Sequence, residues 1–133
     1  MNEHTPSIQI ACGATLLAIA VAAGAFGSHV LDKYVHVSLL PIWHTAVLYQ
    51  LIHGVGLIAI ACARPHILPR WQNLGFSALF LGSVLFSGSL YLFVFSQQRW
   101  LTTLTPIGGV LMVLGWILIT IGAIQKAKQH KNP

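Results

Sequence analysis

Four long apolar stretches, separated by short polar interruptions, dominate the chain: Ile8 to Phe26, Ile42 to Ala63, Leu74 to Phe95 and Ile107 to Ile124. Each is close to the ~20 residues that a helix rising 1.5 Å per residue needs to cross ~30 Å of hydrocarbon. The pattern predicts four membrane-spanning helices. Short connections make neighbours antiparallel and leave room for one membrane domain over residues 1–133, with a tail over 125–133. The expected fold class is all-α, an integral membrane four-helix bundle. A cleaved leader is not expected in place of the first span, because "MNEHTPS" has no Lys or Arg and the apolar run outlasts a signal core.

Between the first two spans lies "SHVLDKYVHVSLLP", where Val30, Leu31, Tyr34, Val37 and Leu40 recur at helical spacing. This predicts a short interfacial helix on the membrane surface. Pro41 and Pro106 fall where the second and fourth helices should begin, positions that tolerate a missing N–H. Trp43, Trp71, Trp100 and Tyr34 fall at span boundaries, as interfacial aromatics do, while Trp116 is mid-span.

Within the spans, small residues repeat every seven positions: Gly13, Ala20 and Gly27; Gly75, Gly82 and Ser89; Gly108, Gly115 and Gly122. Lipid offers no hydrophobic force between helices, so small-residue seams that allow close backbone approach must supply the packing. A seven-residue period keeps such a seam on one side of a left-handed bundle. Ala14, Ala18 and Ala22 give the first span a second small face, suited to an interior helix or to contact with a second copy.

Composition strengthens the membrane assignment. Only 7% of the residues are charged, against roughly 25% in soluble domains. Arg64, Arg70, Lys126, Lys128 and Lys131 fall on one predicted side, Lys33 and Arg99 on the other, so the termini are expected in the cytoplasm. The basic charge sits at membrane edges, which fits anionic lipid headgroups and gives no patterned face for nucleic acid. Cys12 and Cys62 lie near cytoplasmic span ends and are read as packing residues, not a disulfide or metal pair.

Polar residues inside the spans raise the question of function. Tyr49, Gln50 and His53 share one side of the second helix, and Ser83, Ser87 and Tyr91 share one side of the third, at similar depths. A structural reading has neutral His53 hydrogen-bonded across helices to a serine or a carbonyl; a functional one makes it a proton relay or ligand contact. The absence of Asp and Glu from every span weighs toward structure. His44 and His53 point to opposite sides of one helix, so they cannot clamp one haem iron, and His29, Asp32 and His36 form only a weak metal pattern. No phosphate loop, nucleophile elbow or paired Cys motif is present. No catalytic residue, metal or cofactor is expected, and an ordinary enzyme is not.

At "GAFGSHVL" (24–31), "YQLIHG" (49–54), "FSGSLY" (86–91) and "TPIGGVLMVLGW" (105–116), the chain resembles the YgdD-like family of small integral membrane proteins, a domain of unknown function. The resemblance covers nearly all of the chain. It implies a multi-pass bacterial inner-membrane protein and carries no activity. Its motifs include Gly24, Phe26, Gly109 and Trp116, and they bring His29, Gln50, His53, Ser87 and Tyr91 into one candidate polar pocket in the outer half of the bundle. Two functions are in view: a non-enzymatic accessory or assembly protein that forms homo-oligomers or joins a larger complex, or a binder of lipid, a quinone-like molecule or another small ligand.

Overall fold

A computed structural model describes residues 4–131. Glu3, and Asn132 and Pro133 of the predicted tail, lie outside the described residues. Four helices carry the chain: α1 (His4–His29), α2 (Leu40–Cys62), α3 (Pro69–Ser96) and α4 (Leu101–Lys131). All four are long and apolar enough to cross a membrane, and no strand occurs among the described residues. The helices outrun the apolar stretches, because the backbone ladder needs no apolar side chains once formed and leaves no N–H or C=O unpaired near the hydrocarbon. Pro106 consequently falls inside α4, not at its first turn as the apolar boundary predicts. The turn before it is tight: Gln97 adopts φ 51° and donates its N–H to the Phe93 carbonyl at 2.8 Å, closing α3 with a left-handed residue.

The segment between α1 and α2 departs from expectation. In place of one short surface helix it forms two 3-10 turns, Leu31–Lys33 and Val37–Leu39. His36 separates them with extended backbone (φ −64°, ψ 140°), and its Nδ1 accepts the Ser38 N–H. A side chain that caps its own backbone competes with helix continuation. Leu31, fully buried, pins this segment against Trp43, Val47 and Val94.

Consecutive helices are the principal neighbours: α1 packs on α2, α2 on α3, and α3 on α4, while α1 and α4 make no extensive contact. In α2, 44% of the most apolar window is buried, against 22% in α1 and in α4, so α2 is central and the terminal helices show most of their surface to lipid. One core cluster joins Leu16, Leu57, Ile60, Phe76, Leu79 and Met112, and a second joins Leu31, Trp43, Val47 and Val94. Trp43 is thereby a core residue, not the interfacial one its position predicts; its Nε1–H donates to the Ala23 carbonyl of α1 at 2.8 Å.

The helix contacts run through glycine. A Cβ on Gly115 would lie 3.0 Å from the Gly75 carbonyl oxygen and 2.6 Å from Leu79 Cγ. One on Gly108 would lie 2.5 Å from the Phe86 nitrogen and 2.8 Å from the Gly82 oxygen. On the other side of the bundle, a Cβ on Gly13 would lie 3.0 Å from the Gly54 oxygen. Gly27 lies against Trp43 and Gly122 against Trp71. Ala20 is fully buried, and Ser89 shares a hydrogen bond of 2.7 Å with Thr105. Lipid-facing hydroxyls are handled differently: Thr15, Thr45, Ser96 and Thr120 each donate to the carbonyl four residues earlier in their own helix, at 2.7–2.9 Å. No hydroxyl donor is then left facing hydrocarbon at these positions.

Gly115→Leu should therefore destabilise the bundle by at least the ~1–3 kcal/mol typical of overpacking, because the obstructing atoms include backbone. Gly88 has nothing within 4 Å of a built Cβ, so Gly88→Ala should stay within about 0.5 kcal/mol of wild type. Thermal unfolding of both variants in one detergent checks the contrast.

Candidate functional site

The polar residues of the bundle centre take two separate sets of partners. Gln50 is buried and points toward α1 and α3. Its Nε2 donates to the Leu16 carbonyl at 2.9 Å, and its Oε1 accepts the Tyr91 hydroxyl proton at 2.8 Å. Ser87 donates to the Ala46 carbonyl at 2.8 Å. The Tyr91 ring packs on Trp43 with centroids 4.5 Å apart. These contacts tie three helices together at one level. Beside them lies a hollow of about 170 Å³ between α1 and α3, with Ile19 and Val84 at its lipid-exposed edge and Ser83 buried within. The Ser83 hydroxyl has no hydrogen-bond partner.

His53 belongs to another set. Its Nδ1 lies 2.8 Å from the Tyr49 carbonyl oxygen, and its Nε2 lies 3.2 Å from Trp116 Nε1 on α4. A carbonyl can only accept and an indole N–H can only donate, so the geometry puts the imidazole proton on Nδ1 and leaves Nε2 as the acceptor. The ring is neutral in this arrangement, with both nitrogens engaged. Tyr49, one helical turn earlier, stacks nearly parallel to it at 6.2 Å and packs on Phe86 at 4.6 Å. Trp116 reaches His53 because Gly56 has no Cβ: one built there would come within 2.9 Å of the indole. Beneath this bridge, Tyr49, His53, Phe86, Gly109, Met112 and Trp116 line part of a groove of about 610 Å³ between α2 and α4.

The single outer pocket predicted from sequence is thus divided. Gln50, Ser87 and Tyr91 come together; His53 faces the α4 side instead. His29 joins neither set. It is exposed at the end of α1, where the neighbouring Gly27 meets Trp43, ten residues before His53 and hence about 15 Å away along the helix axis. The division follows from helix geometry: Tyr49 and His53 are four apart and stack, while Gln50 occupies the adjoining face. Among the described residues, no three His, Cys, Asp or Glu side chains gather into a possible metal site.

Sequence reasoning passed over a third cluster. Gln72, fully buried at the start of α3, donates to the Ile60 carbonyl at 2.9 Å and approaches Gln9 of α1, which in turn reaches Asn73 at 3.4 Å. The signal was present: Gln72 precedes Leu79 by seven positions, in step with the glycine seam of the same helix.

Four spanning helices whose central polar side chains are bound mostly to main-chain carbonyls of the bundle define a small multi-pass integral membrane protein. The chain belongs to the family described as "Protein of unknown function (DUF423)", whose model matches residues 23–109. It is 41% identical over 118 residues to the UPF0382 membrane protein SSP2132 of Staphylococcus saprophyticus, covering 89% of this chain and 98% of the relative. It is 36% identical over 123 residues to the UPF0382 membrane protein YwdK of Bacillus subtilis, covering 89% and 97%. To the UPF0382 inner membrane protein YgdD of Escherichia coli K12 it is 39% identical over 107 residues, covering 80% and 82%. No solved structure matches the chain.

The His53 bridge makes a spectroscopic prediction. Nitrogen-15 NMR of the labelled protein should show Nδ1 protonated and Nε2 bare; the opposite tautomer would contradict the geometry. Trp116→Phe keeps an aromatic ring and removes the donor, and should cost about 0.6–2 kcal/mol of stability, the range for interhelical hydrogen bonds in membranes.

Proposed function

We propose that the protein is a non-enzymatic structural or accessory component of the bacterial inner membrane, with both termini in the cytoplasm, that associates laterally with a second copy of itself through α1. The observation that carries this reading is the uncovered small face of α1. Ala14, Ala18 and Ala22 are exposed, although small residues are the type that builds helix contacts in lipid. They repeat every four residues, the spacing of right-handed close crossings, and one such face repeated by a two-fold axis makes a self-complementary interface. The central polar groups support the same view, since Gln50, His53, Ser87 and Tyr91 are engaged within the chain.

A second reading, a binder of a lipid or quinone-like molecule, is favoured by the 610 Å³ groove beside His53. An aromatic and apolar wall with few polar groups is what such ligands occupy.

Ala18→Cys should form disulfide-linked dimers in oxidised native membranes, and Ala18→Leu should shift the native mass spectrum from dimer to monomer. A wild-type protein that is monomeric in its own membrane would reject the association. A retained small-molecule mass, lost in a Tyr49→Ala variant that stays folded, would favour the ligand reading.

A further inference from the structure

Among the described residues, Ser83 carries the one buried hydroxyl without a hydrogen-bond partner. It is fully buried at the middle of α3. Other hydroxyls in the spans are met, by their own helix as at Thr15 and Thr120 or across an interface as at Ser87. A donor left unmet away from water is costly, and in hydrocarbon no solvent relieves it.

The Ser83 hydroxyl lines the hollow of about 170 Å³ between α1 and α3, together with Gln50, Ser87 and Tyr91. Ser83, Ser87 and Tyr91 follow one another at steps of four along α3, so this polar wall extends about 12 Å from the middle of the helix towards its C-terminal end. The hydrogen bonds already made determine what the wall still offers. Ser87 and Tyr91 give their protons to the Ala46 carbonyl and to Gln50 Oε1, and keep oxygen lone pairs. Gln50 Nε2 keeps a second N–H beyond the one that meets the Leu16 carbonyl, and Ser83 keeps its O–H. The complementary group therefore both accepts and donates. No charged side chain lines the hollow, and Ile19 and Val84 at its edge are exposed, so it opens sideways into hydrocarbon.

We propose that this hollow binds the head of an uncharged glycerolipid of the diacylglycerol type, entering from the bilayer between Ile19 and Val84. An ester carbonyl accepts from Ser83 and Gln50, the free hydroxyl donates to the oxygen of Ser87 or Tyr91, and the acyl chains leave past the apolar edge. A phosphate head does not suit this wall, because a charge buried among neutral hydroxyls lacks a partner. Water would meet the hydroxyls, but the mouth faces acyl chains, so lipid is the molecule in abundance there. The hollow shares no lining residue with the groove beside His53 and includes none of Ala14, Ala18 and Ala22. Its occupant is thus separate from a ligand in that groove and from association through α1.

Native mass spectrometry of the full chain in micelles, incubated with dioleoylglycerol, its O-methyl ether or dioleoylphosphatidylglycerol, tests this. The wild type should retain dioleoylglycerol. The methyl ether on the wild type, and dioleoylglycerol on Ser83→Ala, should each be held about fivefold more weakly, the effect of one lost hydrogen bond. Gly88 also lines the hollow and has open space where a Cβ would stand, so Gly88→Leu should occlude the site and abolish retention. Thr120→Ala, which removes a lipid-facing hydroxyl elsewhere, should leave retention unchanged. Should Gly88→Leu fail to fold, Ser83→Ala and the methyl ether still decide. Equal retention of the methyl ether, unchanged retention in Ser83→Ala, or preference for phosphatidylglycerol would overturn the proposal. So would a wild type that retains no dioleoylglycerol, which leaves the hollow to water.

Discussion

Inside hydrocarbon no water is available to complete a hydrogen bond, and the arrangement of α1, α2 and α3 depends on how their buried polar side chains meet that constraint. Trp43, Gln50, Gln72 and Ser87 each donate across a helix interface to a main-chain carbonyl, those of Ala23, Leu16, Ile60 and Ala46. A helical carbonyl already accepts one hydrogen bond and has a second lone pair to offer. A donor of fixed length that must find such an oxygen pins both the rotation and the axial position of its helix. Apolar side chains alone would allow several registers of similar energy, since lipid competes equally for their contacts.

The α3–α4 pair uses a different means. Its middle is glycine against main chain, with Gly115 over the Gly75 carbonyl and Gly108 over Phe86 and the Gly82 carbonyl. Its polar contacts lie toward the ends, Ser89 to Thr105 and Trp71 to Gln125. Dispersion between closely apposed backbones replaces side-chain donors there. The His53–Trp116 contact then spans the space between α2 and α4 that neither mechanism fills, and Gly56 is what lets the indole lie close.

These two mechanisms bear on function through what they leave over. The central polar residues that would attract a catalytic interpretation are largely engaged in holding helices. What remains open is the alanine face of α1, the aromatic groove beside His53 and the hollow beside Ser83. All three open toward lipid, which agrees with relatives named only as membrane proteins.

Much of this molecule was legible without coordinates, because the bilayer imposes a length and a polarity that can be read directly from a chain. Four spans, their antiparallel succession and the seven-residue small-residue seams follow from composition and period. Tertiary structure alone decided how the polar residues are shared out. Residues on adjoining faces of one helix look like one cluster in sequence, yet Gln50 and His53 meet different helices, and His29 lies too near the surface to meet either. Trp43 reads in sequence as a boundary residue and Gln72 precedes the third apolar stretch, yet both are buried, with donors that reach carbonyls of a neighbouring helix. Period determines which side of a helix a residue occupies, whereas partners depend on rotation and axial offset between helices, and those emerge only when every interface is satisfied at once.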